Sequence, residues 1–147
     1  MENLEILNTR NKKDIEKKIK KQFGCDFKLD FAVFKNSKNK LFLLNKDVEK
    51  IRLDELRINS LGLYFGENRH AELRLSTEGA QLVGKKATKN IIELDDAQAE
   101  QWMNGKDFEY NSEFHGFVII KNKDNILGCG RLKDTTLLNY VQKERRT

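Results

Sequence analysis

Proline is absent from the 147 residues, cysteine, methionine and histidine occur twice each, and tryptophan once. Without proline no Pro-rich spacer divides the chain. Lys, Asn and Ile are correspondingly abundant, a compositional bias under which some of the lysines are no more than solvated surface. Cys25 and Cys129 are far apart and form no CxxC, so they read as the reduced thiols of a cytoplasmic protein rather than as a disulfide framework. With His70 and His115 they are the only soft or imidazole ligands, and no two have the close spacing that a zinc knuckle or a helical metal site needs; no metal and no cofactor is expected. The longest aliphatic runs, residues 41–44 and 118–120, are far too short to span a bilayer, and no charged-then-apolar leader opens the chain, so no membrane partner is expected.

What is present is charge at the two ends and apolar pattern between them. Hydrophobic residues make up 38% and charged residues 35%, with nine Phe, three Tyr and one Trp to supply a core. The formal net charge is +5. Residues 10–21 carry seven Lys or Arg against Asp14 and Glu16, and residues 131–147 carry five against Asp134 and Glu144. A chain charged in this way meets a polyanion, nucleic acid being the commonest, unless the lysines merely keep it soluble.

The apolar pattern predicts alternating helices and strands. Residues 1–9 read as a loosely docked lead-in. From about Asn11 to Phe23, Ile15, Ile19 and Phe23 recur at helical spacing among lysines, and Gly24 stands where such a helix stops. This basic helix either covers the core or takes part in binding. Phe27, Leu29, Phe31 and Val33 alternate as in a half-buried strand, residues 36–39 are turn chemistry, and residues 41–44 return. Asn45 is expected to cap a helical turn through Asp47, Val48 and Ile51, residues 56–60 to form a strand, and residues 61–66 and 73–75 two more strands. A short helix over residues 78–83, capped by Ser76 or Thr77, then closes at Gly84. The polar, cationic segment 85–89 is the expected junction, with a boundary near residue 87.

Beyond it, residues 90–94 read as a strand, and Asp95 as the cap of a helix from Asp96 to Met103 in which Trp102 is a core anchor. Phe108 and Tyr110 open a short strand. Gly116-Phe117-Val118-Ile119-Ile120, a polar break and Ile126-Leu127-Gly128-Cys129-Gly130-Arg131-Leu132 then form a hairpin whose second strand needs a bulge or a close backbone approach.

No catalytic constellation emerges. Cys129 lies between glycines in a strand and reads as a buried, inert thiol; Gly128-Cys129-Gly130 does not open a helix and so cannot cradle a nucleotide; Asp95 and Asp96 are explained by capping. Binding is better supplied. Lys85, Lys86, Lys89, Arg131, Lys133, Lys143, Arg145 and Arg146 make a track of phosphate contacts if the last strand returns toward the junction. Asn139 has the paired donor and acceptor of a base contact, and Tyr140 either stacks on a base or plugs a barrel. Arg69 and His70 read as loop decoration.

The strand 91–94, the helix after Asp95 and the glycine-marked hairpin resemble the PUA domain, a β-pseudobarrel of RNA-modifying enzymes and ribosome-assembly factors. The preceding Leu61-Gly62-Leu63-Tyr64-Phe65-Gly66 and Leu73-Arg74-Leu75-Ser76-Thr77-Glu78-Gly79-Ala80 look like the pre-PUA segment of two groups: the stand-alone large-subunit pre-ribosome-processing factor, and the carboxy-terminal extension of Sun-type RNA 5-methylcytosine methyltransferases. Gly130-Arg131-Leu132-Lys133 with residues 138–146 is nearer the second, although Gln142 stands where that extension usually has Pro, and the methyltransferase's cofactor-binding sheet and catalytic cysteine motifs are absent.

The resemblance implies an α+β protein: a pre-PUA-like unit of mixed helix and strand over residues 1–87, then a PUA-like β-barrel over residues 88–147. It implies binding of structured RNA, rRNA or tRNA, in ribosome biogenesis or as the targeting subunit of a separately encoded RNA methyltransferase, with no enzyme activity of its own. The alternative is a protein–protein adaptor that docks on an RNA-modifying enzyme or ribosomal protein without touching RNA. An exposed apolar patch over residues 61–65 would favour the adaptor, and a cationic groove joining residues 85–89 with the tail would favour RNA.

Overall fold

A computed structural model describes residues 4–30, 32–44, 62–112 and 114–139. The basic helix, α1 (Thr9–Phe23), starts two residues earlier than its apolar spacing suggested, because the Asn8 side chain accepts the Asn11 N–H at 2.8 Å and so satisfies one of the helix's unpaired donors. It ends at Gly24, whose φ of 68° carries the chain out of the helix. Ile15, Ile19 and Phe23 are buried as the period predicted.

From Glu5 onward the lead-in is docked. Glu5–Ile6 forms β1, which pairs antiparallel with β2 (Ala32–Lys35); Leu7 is buried, and its N–H donates to the Val33 carbonyl at 2.8 Å. Two residues of strand are too short for periodicity to register. The strand expected from Phe27 begins only at Ala32. Phe27 and Leu29 are buried, but the Leu29 N–H donates to the Glu16 carboxylate at 2.7 Å, so this stretch is held by a helix side chain rather than by a ladder. Phe31 lies outside the described residues.

The turn is built by Asn36, whose buried side-chain oxygen accepts the Lys38 and Lys40 N–H groups, both at 2.9 Å, before β3 (Lys40–Leu44) returns. The turn at residues 45–51, the strand at 56–60 and Leu61 lie outside the described residues. β4 (Leu63–Asn68) and β5 (Leu73–Leu75) complete an antiparallel sheet ordered β1-β2-β3-β4-β5. Ser76 caps α2 (Thr77–Gly84), accepting the Gly79 N–H at 2.9 Å while its hydroxyl donates to the Tyr64 carbonyl at 2.5 Å; the helix is thereby tied to β4.

The second sheet contains β6 (Ile91–Glu93), β7 (Phe108–Glu109), β8 (Gly116–Asn122), β9 (Asn125–Lys133) and β10 (Thr136–Asn139), in the order β6-β8-β9-β10-β7. Among its described strands only β6 and β8 pair in parallel, and the curled sheet forms the half-barrel of a PUA-like pseudobarrel. Between β6 and β7 lies α3 (Asp96–Met103), opened by a full capping box of Asp95 and Gln98.

This sheet is buried on both faces. Val118, Ile120, Leu132 and Leu137 pack with Trp102 on one side; Phe117, Ile119 and Cys129 pack on the other with Ile19, Phe23, Phe65, Leu75 and Val83. That double burial is why residues 117–120 read as one unbroken apolar run instead of an alternation. Both devices expected in β9 occur. The register with β8 slips between Ile120 and Lys121, leaving Leu127 as an extra residue, and a methyl group on Gly130 would lie 2.6 Å from the Trp102 ring. Among the described residues no helix is long and apolar enough to cross a membrane.

Candidate nucleic-acid interface

The cationic segment 85–89 is seated on the carboxy-terminal end of α1. An α-helix leaves its last carbonyls unpaired, and here the junction supplies their donors. Thr88 N–H donates to the Phe23 carbonyl at 2.8 Å and Lys89 N–H to the same oxygen at 3.3 Å, while the Asn90 side-chain amide donates to the Gln22 carbonyl. The Thr88 hydroxyl donates to the Gly24 carbonyl at 2.6 Å. Asn90 then takes a φ of 58°, and its own carbonyl accepts the Ile119 N–H at 2.9 Å, which sets β6 in register beside β8.

This cap brings Lys89 to the helix end that carries Lys20 and Lys21, and Lys86 near enough to Cys25 to act on its thiol; all four lysines are exposed. Lys85, also exposed, is the residue at which α2 ends. Lys20 makes a 3.3 Å ion pair with Asp26, but both side chains are about 70% exposed, so the pair neutralises little. Sequence spacing did not join α1 to this cluster, since the link is made by hydrogen bonds between residues more than 60 positions apart. Burial pushes the Cys25 thiol above its ordinary value, Asp26 adds to that rise, and Lys86 opposes it.

Strand direction brings a second group to the same end of the half-barrel. β6 and β8 both run away from that end and β9 runs toward it; Gly116 faces Leu132, and Asn90, whose carbonyl accepts from Ile119, lies a little farther along β8. Arg131 faces Phe117 across the ladder and holds its guanidinium carbon 5.5 Å from the Phe117 ring centre; Lys133, exposed, closes β9. Arg69 also reaches Phe117, at 5.5 Å, from the turn after β4.

Asn139 sits differently from the lysines. Its amide donates to the Trp102 carbonyl at 2.7 Å and the Lys106 carbonyl at 3.1 Å, and its N–H donates to the Asp107 carboxylate at 2.8 Å, so it holds the loop after α3 against β10. Tyr140, Lys143, Arg145 and Arg146 lie outside the described residues. Trp102 is wholly buried, stacked on Phe108 at 6.3 Å, and is the core anchor its helical position predicted. Cys129 is buried too, and that burial pushes its thiol up to about 12.

A groove of roughly 470 Å³ lies elsewhere, lined by Glu93, Asp95, Asp96, Gln98, Asn122 and Lys123 among others. Asp96 accepts from Asn122 at 3.1 Å and pairs with Lys123 at 3.1 Å, and these contacts hold its carboxyl below the ordinary aspartate range. Its acidic lining makes it a poor seat for a polyanion.

Residues 89–147 match the family model described as the Methyltransferase RsmF PUA domain. The chain is 24% identical over 132 residues, 89% of its length, to ribosomal RNA small subunit methyltransferase F of Vibrio cholerae serotype O1 (strain M66-2). It is 31% identical over 91 residues, 61% of its length, to the protein of the same name from Aeromonas salmonicida (strain A449). The chain spans 28% of the length of the first of these relatives and 19% of the second.

Proposed function

We infer that this chain, whose residues 89–147 form a PUA-like domain resembling the carboxy-terminal extension of Sun-type methyltransferases, binds structured RNA. What supports the reading is that the junction caps α1, seating Lys86 and Lys89 beside its last turn with Lys20 and Lys21, while β9 carries Arg131 and Lys133 toward the end from which β6 and β8 start. Each such cation releases condensed counterions when it meets a phosphate, so a gathered set gives affinity that no single lysine supplies. Within this reading residues 1–87 are the pre-PUA-like part and residues 88–147 the PUA-like part. The tail residues Lys143, Arg145 and Arg146 extend the phosphate track, and Asn139 contributes by fixing the adjacent loop.

The relatives are named as methyltransferases of small-subunit rRNA, which favours rRNA over tRNA as the ligand and the cytoplasm as the compartment. The chain supplies the RNA contact, for ribosome assembly or for targeting a modification enzyme, and no methyl transfer of its own. The adaptor reading draws little support, because in the stretch 61–65 Phe65 is buried and Tyr64 packs on Phe42, leaving Leu63 as the exposed residue among those described.

The test is binding of the purified chain to rRNA fragments and total tRNA against duplex DNA and heparin, from low to moderate salt. RNA-preferring binding that persists at moderate salt is expected. Weak binding indifferent to the polyanion would reduce the charge to generic attraction and reopen the adaptor reading.

A further inference from the structure

Phe117 is 1% exposed, yet two guanidinium groups from different parts of the chain lie 5.5 Å from its ring centre, Arg69 from the turn after β4 and Arg131 from the facing strand. The two cations are therefore no farther apart than twice that distance. Both are fixed from behind. The Arg69 backbone is held on each side, its N–H donating to the Glu72 carbonyl at 2.8 Å and its carbonyl accepting from the Lys18 ammonium at 3.1 Å; the same ammonium donates to Asn68 Oδ1 at 2.6 Å. Arg131 is held by the β8–β9 ladder and by its contact with the ring, and its Nε is buried without a hydrogen-bond partner. A guanidinium packed face-on against a ring still presents its N–H edge, in the planar geometry that matches a phosphate.

Arg69 Nε lies 3.6 Å from the Glu67 carboxylate, too long for a strong hydrogen bond. Glu72 approaches the start of β8, within reach of any side chain placed at Gly116. Two carboxylates therefore lie beside the pair.

We propose that Arg69 and Arg131 form a two-guanidinium clamp for one backbone phosphate of the bound RNA, at the seam between the first sheet and the second. The clamp rests on the RNA-binding reading above. The phosphate takes the place of Glu67 at Arg69 and meets the terminal N–H groups of Arg131, whose Nε stays buried. Its ligand is a phosphodiester rather than a base, because every donor in the pair is cationic and the ring that both approach is buried and offers no stacking surface.

The experiment measures total tRNA binding across a salt series for the wild-type chain and for the Arg69→Gln, Arg131→Lys and Glu67→Gln variants, each checked for folding by thermal unfolding. Arg69→Gln is expected to weaken binding about tenfold and to flatten the salt dependence by about 0.7 to 0.9 in slope. Arg131→Lys, which keeps the charge and loses the fork, weakens binding with little change of slope. Glu67→Gln tightens it, an effect that a purely structural turn would not produce. A second measurement needs no variant: the side-chain Nε–H signals of Arg69 and Arg131 in the wild-type NMR spectrum shift on addition of octauridylate. RNA binding with wild-type affinity in Arg69→Gln, or unmoved arginine signals while the Lys86 and Lys89 amides shift, would overturn the clamp alone. A wild-type chain that binds no tRNA at low salt overturns both the clamp and the RNA reading.

Discussion

Cys129 illustrates how far a single residue's chemistry follows from its neighbours. Glycines flank it in a strand, and in the fold both faces of that strand are covered, so its thiolate has no solvent and its thiol is pushed up to about 12. In the unfolded chain the same thiol ionises near its ordinary value of 9.0. The folded group thus holds its proton more tightly, and this contribution to stability is complete below pH 9 and is lost as pH rises above it. Two outcomes follow. Iodoacetamide at pH 8 leaves Cys129 unmodified in the native protein and alkylates it only in denaturant, as peptide mass mapping will report, and the melting temperature falls between pH 9 and 10.5. Trp102 and Cys129 were readable because helix position and flanking glycine are local signals. The role of Asn139 was not, since its acceptors, Trp102 and Lys106, stand more than 30 residues away along the chain.

At the scale of elements, the decisive joint is the cap that the junction places on α1. Helix α3 and its Asp95 cap, the turn at Asn36 and the hairpin of β8 and β9 were all legible, because each is specified by residues within a few positions of one another. The cap is not of that kind. It depends on Asn90 adopting a positive φ, which Asn tolerates better than most residues, so that its amide meets the Gln22 carbonyl. Asn90→Ala removes the donor and strains the backbone together, and is expected to cost about 1 to 3 kcal/mol in denaturant unfolding. RNA affinity falls in the same variant although no charge has been removed, because Lys89 is no longer held at the helix end.

Over the whole molecule, the charge of the chain is bipolar in sequence, and among the described residues the junction lysines meet the last turn of α1. The lysines of α1 are not equivalent in that arrangement. Lys20 and Lys21 sit in the last turn beside the junction, whereas Lys12 and Lys13 sit in the first turns, about 12 Å away along the axis. Replacing Lys20 and Lys21 by Gln should lower the slope of log affinity against log salt by about 0.7 to 0.9 for each phosphate no longer neutralised. The double replacement of Lys12 and Lys13 should leave it nearly unchanged. Equal effects from the two pairs, measured by fluorescence anisotropy against the same rRNA fragment, would mean that α1 acts only through net charge.

By itself the sequence determined the α+β class, the helices that follow Asn8, Ser76 and Asp95, the hairpin, and the buried Trp102 and Cys129, because periodicity, capping and turn chemistry act over a few residues; its motifs carried the resemblance of the second half to a PUA-like barrel. Only the tertiary structure decided that residues 5–6 are a strand, that α1 ends on the junction, and that Arg69 and Arg131 share one ring. Those contacts join residues tens of positions apart. They exist because a sheet buried on both faces must draw both halves of the chain onto it, and that demand leaves no mark at any one position of the sequence.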